Sequence, residues 1–200
     1  LKKNIAQRRF STSDIKDKVK DIISEVRKNG DEALIKFSSK YDNYSVDNAK
    51  DLEIPKEKFL EALDKISKEE LKALKYAKKR IEEFASHQKS KSWDYTSEEI
   101  KLGEKITPIN KVGIYVPGGS AVYPSSVLMN SVPAKVAGVK EIIMVVPSPN
   151  GEVNNLVLAA AHLGGVDRLF RIGGAHAIAA LAFGTKTIPK VNMIVGPGNQ

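Results

Sequence analysis

The sequence KVGIYVPGGS, at residues 111–120, joins a short apolar run to a turn rich in glycine and proline. Three further units of the same kind follow, at residues 141–151, 168–176 and 193–199. Each run is short and continuous, as expected of a strand that is covered on both faces of a parallel sheet. Segments with helical periodicity separate the runs, at residues 125–137, 155–163 and 175–183. This βαβαβαβ order predicts an α/β fold with a parallel sheet and right-handed crossovers.

Upstream of this region the composition changes. Residues 1–110 carry 46 of the 56 charged residues but only 2 of the 14 glycines. A charged, glycine-poor stretch is typical of surface helices, whereas a glycine-rich apolar stretch is typical of buried strands joined by tight turns. We therefore expect two domains, a helix-rich N-terminal region at residues 1–110 and an α/β domain at residues 111–200.

Capping signals divide the N-terminal region into helices. Ser11 to Ser13 can cap a first helix, and Asp31 begins a second one. Pro55 marks a third, and Ser67-Lys-Glu-Glu70 matches a capping box that opens a long fourth helix. Apolar residues at helical spacing predict the buried faces of the last three helices: Ala33, Leu34 and Phe37; Phe59, Leu60, Leu63 and Ile66; Leu71, Leu74, Ala77, Ile81 and Phe84.

Composition and charge exclude several classes of protein. The hydrophobic fraction of 42% and the charged fraction of 28% argue against disorder, and no apolar run reaches the length of a membrane span. The charged start of the chain argues against a secretion signal, and the lack of cysteine excludes disulfides and thiolate metal sites. The net charge of +8 divides evenly between residues 1–110 and 111–200, so we expect no nucleic-acid partner. The basic stripe Lys68, Lys72, Lys75 and Lys79 is interpreted as a solvated helix face, with nucleic-acid contact as the alternative.

The four turns after the strands are the candidate ligand site, because in a parallel sheet they lie at one edge. Their glycines allow backbone N–H groups to approach a ligand, although the same glycines also suit tight turns. Tyr115, near the end of the first strand, fits either the core or a cofactor contact. His176 begins a helix and is a candidate general base, a ligand contact or a turn residue bonded to backbone, whereas His87 and His162 are interpreted as structural. No G-x-G-x-x-G fingerprint and no metal-binding spacing is visible.

Several long motifs resemble those of the histidinol dehydrogenase family. They are KVGIYVPGGS at 111–120, SVLMN at 126–130, PAKVAGVK at 133–140, RIGGA at 171–175, AIAALAFGT at 177–185 and VGPGN at 195–199. In the N-terminal region, NGDEAL at 29–34, Arg80-Ile81 with Phe84, and His87-Gln88 are also similar. The resemblance covers nearly the whole chain.

The resemblance implies an NAD-dependent, zinc-containing homodimer in the cytoplasm. It would oxidise L-histidinol to L-histidine in two hydride transfers through an aldehyde, the last step of histidine biosynthesis. The implied fold contains Rossmann-like domains, of which this chain would hold one, incomplete at its C-terminal end. Tyr115 and Asn199 match family residues that contact NAD. His176 stands where the family has glutamine, and we expect a cofactor contact there too.

The family's acid–base glutamate–histidine pair and its zinc ligands lie beyond Gln200 in the family pattern. We therefore expect no catalytic residue and no metal ligand in this chain, and no turnover by the 200 residues alone. Two alternatives remain open: a related zinc- and NAD-dependent alcohol dehydrogenase of the same superfamily, and a truncated non-catalytic fragment that binds or oligomerises.

Overall fold

The computed structural model describes residues 2–118 and 122–198, with backbone alone for residues 2–14. The first part of the chain contains the helices α1 (Lys2–Asn29), α2 (Asp31–Asp42), α3 (Lys56–Glu61) and α4 (Lys68–Gln88) and the strands β1 (Glu53–Ile54), β2 (Trp93–Ser97) and β3 (Ile100–Glu104). The second part alternates strand and helix: β4 (Lys111–Tyr115), α5 (Pro124–Ala137), β5 (Glu141–Val145), α6 (Asn155–Gly164), β6 (Arg168–Phe170), α7 (Gly174–Phe183) and β7 (Met193–Val195).

The main sheet has five strands in the order β1-β6-β5-β4-β7. Strands β4 to β7 are parallel, and only β1 at one edge runs antiparallel to its neighbour. Each of the four predicted strand-and-turn units begins with an observed strand, and the three predicted helices lie within one residue of α5, α6 and α7. The predicted α/β fold with a parallel sheet is therefore confirmed.

Continuous apolar runs form these strands because both faces of the sheet are covered. In β5, Ile142 and Met144 enter one core while Ile143 and Val145 enter the other, and all four are fully buried. The first core lies against α3, α4, α5 and α6, and the second lies against α1, α2 and α7. The result is a sheet between two helical layers.

Both parts of the chain contribute to the sheet and to both cores. Strand β1 extends the sheet, and Arg168 holds it there by donating two hydrogen bonds, of 2.7 and 2.6 Å, to the carboxylate of Glu53. Next to this pair, the carbonyl oxygen of Thr187 accepts a 3.0 Å hydrogen bond from Arg168, and the Thr187 hydroxyl donates a 2.7 Å hydrogen bond to Asp31 of α2. The division into domains at residues 1–110 and 111–200 stays a prediction, and the observed packing joins the two ranges closely.

The predicted N-terminal helices are present, with some differences. The capping box is confirmed: Ser67 Oγ accepts from Glu70 N–H at 3.1 Å, and Glu70 accepts from Ser67 N–H at 2.8 Å. Helix α1 extends back to Lys2 instead of beginning near Ser11. Leu60 and Phe84 were expected to face inward, and this was wrong, because they are 57% and 66% exposed.

The hairpin of β2 and β3 is an element that the sequence reasoning did not predict. Its turn residues, Glu98 and Glu99, have positive φ angles of 49° and 71°. Such turns normally contain asparagine or glycine, so the usual sequence signal for a tight hairpin is missing here. All ten strand residues are exposed.

Candidate functional site

The order in which consecutive strands are added to the sheet reverses at β4. From β4 the chain moves outward through β5 to β6, and it then returns to place β7 on the other side of β4. In sheets of this kind, the space beyond the carboxyl ends of the two strands at the reversal is where ligands bind. Here those ends are Tyr115 of β4 and Val195 of β7.

A cavity of about 320 Å³ lies at this point. Its volume is at the lower end of the range for small-molecule sites. The described lining residues carry no charged side chain, and they are Val19, Tyr115, Gly174, Ala175, Ile178, Ile194, Val195, Gly196, Pro197 and Gly198. The cavity therefore combines apolar side chains with the backbone of several glycines, which suits a flat ring placed next to polar groups.

Tyr115 links the two sides of this cavity. Its hydroxyl oxygen accepts a 3.2 Å hydrogen bond from the backbone N–H of Gly174, the first residue of α7. The tyrosine ring therefore lies across the N-terminal end of the helix, and the hydroxyl proton is free to be donated to a ligand. The sequence left Tyr115 open between core and site, and the structure brings it to the cavity wall.

The N-terminus of α7 supplies the polar part of the cavity. The helix has ten residues and begins at Gly174, and no side chain caps it. The N–H groups of a first helical turn have no partner within the helix, and the helix dipole favours negative charge there. Gly174 and Ala175 both line the cavity, so this end of the helix is open to it.

Close packing explains two of the glycines in these turns. A Cβ atom on Gly173 would lie 2.4 Å from the Pro147 ring, and one on Gly196, whose φ is +136°, would lie 2.1 Å from the carbonyl oxygen of Tyr115. No described atom lies within 4 Å of the corresponding position on Gly198. Packing therefore requires glycine at 173 and 196, whereas Gly198 faces open space.

His176 lies behind the cavity instead of lining it. Its ring is only 2% exposed and packs on α2, with ring centroids 5.6 Å from Phe37 and 6.1 Å from Tyr41. Nε2 has no hydrogen-bond partner among the described residues. Burial lowers the pKa of His176 to about 4, so the imidazole is neutral at pH 7. Direct contact between His176 and a cofactor stays a prediction, and Asn199 lies outside the described residues.

A second cavity, of about 530 Å³, lies at the same edge beside the turns that follow β4 and β5. Asn154 caps α6 at its rim by accepting a 2.8 Å hydrogen bond from the N–H of Leu156. The C-terminal end of α2 braces this region, since Asn43 donates a 2.8 Å hydrogen bond to Asn150. The four predicted turns thus lie at one edge, two beside each cavity.

Residues that sequence reasoning missed lie on the apolar walls. Val19 of α1 reaches the carboxyl edge of the sheet, and nothing in the sequence indicated this. Ile178 and Ile194 belong to apolar runs and carry no signal that separates a cavity wall from a core. Among residues 15–118 and 122–198, whose side chains are described, no cluster of three side chains suited to a metal ion occurs, and none of the described helices has the length and apolarity to cross a bilayer.

The chain was compared with known proteins. The family model of histidinol dehydrogenase matches residues 5–200. Histidinol dehydrogenase of Methylococcus capsulatus is 55% identical over 188 residues, which are 94% of this chain and 43% of that protein. That of Hydrogenovibrio crunogenus is 49% identical over 196 residues, which are 98% of this chain and 45% of that protein.

A solved structure gives the same result. The crystal structure of histidinol dehydrogenase from Elizabethkingia anophelis matches with a TM-score of 0.85 and 34% identity, over 93% of this chain and 43% of that one. The chain therefore spans less than half the length of the relatives it matches. Because the family model extends over nearly every residue and the solved structure has the same fold, the chain belongs to the histidinol dehydrogenase family of oxidoreductases.

Proposed function

We propose that this chain forms the nucleotide-binding edge of an NAD-dependent dehydrogenase that oxidises L-histidinol to L-histidine. The family supports the reaction, and one observation supports the position of the nucleotide: the cavity at the strand reversal, between Tyr115, Gly174 and Gly198. NAD, when bound, accepts a hydride from the carbon atom being oxidised, once at the alcohol and once at the hydrated aldehyde.

The residues of this cavity fit part of NAD. Val19, Ile178 and Ile194 give an apolar surface for a flat ring, and the first turn of α7 offers N–H groups to a phosphate. The volume of about 320 Å³ is small for a whole dinucleotide, so the rest of the cofactor would extend along the edge of the sheet. Tyr115 would donate its hydroxyl proton to the cofactor while it holds the helix terminus through Gly174.

Asn199 and His176 are both proposed to contribute to the nucleotide site. Asn199 directly follows Gly198, a cavity residue, in the chain, and its side-chain amide would contact the cofactor. His176 sits at the start of α7, where the family has glutamine. Its burial against Phe37 and Tyr41 favours a role in fixing the helix terminus, and a direct contact would require its ring to turn toward the cavity.

The residues described here do not fit a zinc ion, because no three potential ligands come together among them. We propose that zinc, the acid–base glutamate–histidine pair and most of the histidinol site belong to sequence outside this chain. The 200 residues of this chain would then bind nucleotide without oxidising the substrate. As in the family generally, the working protein would be a cytoplasmic homodimer.

Calorimetric titration of the chain with NAD tests the proposal. We expect saturable binding that Tyr115→Phe weakens about fivefold, since one hydrogen bond contributes about 1 kcal/mol. Tyr95→Phe removes the same hydroxyl from the exposed hairpin and is the matched control, with unchanged affinity. Absence of NAD binding, or equal affinity for both variants, would reject the proposed site.

Turnover is measured separately, as NADH formation from L-histidinol with zinc present. We expect none from the 200 residues alone, and activity only from a protein that includes any coding sequence beyond Gln200. Replacing histidinol with other small alcohols tests the substrate. NADH formation by the chain alone, or a preference for another alcohol, would contradict the assignment.

A further inference from the structure

The β2–β3 hairpin has one apolar face and one polar face. Residues directly opposite each other across the pair share a face, and the register pairs Trp93 with Glu104, Tyr95 with Leu102 and Ser97 with Ile100. The four apolar side chains of this face are between 50% and 61% exposed: Trp93, Tyr95, Ile100 and Leu102. The other face carries Asp94, Thr96, Lys101 and Gly103.

The side chains of this apolar face contact one another although each is at least half exposed. The rings of Trp93 and Tyr95 stack with centroids 6.3 Å apart, and Trp93 Nε1 donates a 3.1 Å hydrogen bond to Glu104. On the opposite face, Lys101 and Asp94 form an ion pair at 3.1 Å. A two-stranded sheet is only marginally stable in water, and amphipathic hairpins gain stability when another surface covers the apolar face.

The charge of the hairpin indicates which kind of surface would cover its apolar face. The hairpin from Trp93 to Glu104 carries four carboxylates and one lysine, a net charge of −3, in a chain whose net charge is +8. The remainder of the chain therefore carries +11. An apolar surface edged with basic residues is the complement, and a second copy of this chain offers one.

Helix α4 presents such a surface on its solvent side. Lys72, Tyr76, Arg80 and Phe84 follow one another at intervals of four, so they form a single row along the helix. Tyr76 and Phe84 are 62% and 66% exposed, and the row contains no acidic residue. The row is about 18 Å long, and a strand of five residues is about 16 Å long, so the two surfaces match in length.

We propose that the apolar face of the hairpin packs on the row from Lys72 to Phe84 of a second copy. The contact would be reciprocal about a two-fold axis, so each copy contributes one hairpin and one helix row. The two equivalent contacts bury both surfaces of each copy. Their areas add up toward the roughly 800 Å² per partner that a stable dimer buries. This inference rests on the homodimer of the proposed function and is independent of the NAD cavity.

Trp93 is the only tryptophan of the chain, so its fluorescence reports the burial of the hairpin directly. As the chain concentration rises through the dimer dissociation constant, we expect the emission to shift to shorter wavelength and acrylamide quenching to fall. Sedimentation equilibrium on the same samples gives the mass. A chain that remains monomeric, or one that dimerises while Trp93 stays exposed, would overturn the proposal.

Disulfide trapping tests the arrangement of the two surfaces, because the chain has no cysteine of its own. Leu102→Cys chains are mixed with Phe84→Cys chains under mild oxidation, and the mixed dimer is expected to exceed both homodimers at least fivefold. Thr96→Cys, on the polar face of the same hairpin, is the matched control and gives no such excess. Predominant Leu102–Leu102 cross-linking would instead indicate a hairpin-to-hairpin contact and reject the proposal.

Affinity measurements complete the test. Leu102→Gln is expected to raise the dimer dissociation constant at least tenfold, because the side chain is buried twice per dimer, and Thr96→Gln should change it less than twofold. Phe84→Gln, on a helix that does not depend on the hairpin for folding, should match Leu102→Gln. An unchanged dissociation constant for Phe84→Gln would refute the inference. Shielding of Trp93 in a longer form of the protein that is monomeric would refute it as well. NAD titration of the same variants shows separately whether the cavity is intact.

Discussion

The burial of His176 makes the stability of this protein depend on pH in a way that one substitution removes. The ring lies in an apolar contact with Phe37 and Tyr41 and is 2% exposed. Burial lowers the pKa of His176 from 6.5 to about 4 in the folded state. Between these two values the unfolded chain binds a proton that the folded chain does not, so acid favours unfolding.

The size of the effect follows from the two pKa values. A full shift from 6.5 to about 4 corresponds to about 3 kcal/mol of unfolding free energy. The contribution is fully present above pH 6.5 and is lost as the pH falls toward 4. Between pH 7 and pH 5 we expect a loss of about 2 kcal/mol from this residue alone.

Urea unfolding at several pH values, followed by circular dichroism, measures this loss. The comparison is between the chain and His176→Gln, which introduces the amide that the family has at this position. Other groups also make the stability depend on pH, such as Asp42, whose pKa is raised by burial, but they contribute equally to both chains and cancel in the difference. If the two curves of unfolding free energy against pH run parallel, His176 is not buried as a neutral ring and the reasoning fails.

Two substitutions test how the sheet and the helical layer are held. Glu53→Gln removes the charge of a largely covered carboxylate that accepts hydrogen bonds of 2.7 and 2.6 Å from Arg168, and it should lower the free energy of unfolding by about 1 kcal/mol. Glu61→Gln is the control, because Glu61 belongs to an exposed ion pair, and it should leave the free energy of unfolding nearly unchanged. Gly164→Ala would place a Cβ 2.1 Å from the buried Ser131 Oγ and should cost about 1–2 kcal/mol despite better helix propensity, with partial recovery in the double variant with Ser131→Ala. Urea unfolding measures both series, and equal stability of Glu53→Gln and Glu61→Gln, or of Gly164→Ala and the parent chain, would contradict the packing described.

The strands of residues 111–200 were predictable because a doubly covered strand has a local signature. Ile142 to Val145 are apolar without alternation, and glycine or proline follows each strand. Strand β1 has only two residues and exists because it pairs with β6, so no local pattern announces it. The β2–β3 hairpin alternates correctly, but Glu98 and Glu99 at its turn give none of the usual turn signals.

The candidate site was predictable as an edge but not as a set of side chains. The carboxyl ends of parallel strands meet at one edge whatever the sequence, which brings Tyr115 near Gly174. The orientation of the His176 ring depends on Phe37 and Tyr41, which belong to a helix that is distant in sequence. Helix periodicity alone could not reveal that contact, and it also placed Phe84 inward on a face that the structure leaves exposed.

The candidate site is built from both predicted domains, residues 1–110 and residues 111–200. One cavity wall is Val19 of α1, and the start of α7 is packed on α2 through His176. The second core, which covers one whole face of the sheet, draws Leu34, Phe37 and Leu52 from the first range. Residues 111–200 expressed alone would keep only α7 on that face and would expose the part that α1 and α2 cover, a penalty large enough to offset the usual stability of a small domain. We therefore expect residues 111–200 to show no cooperative unfolding and no NAD binding. A sharp urea transition for that fragment would mean that it folds independently, and NAD binding by it would mean that α1 is not needed to complete the cavity.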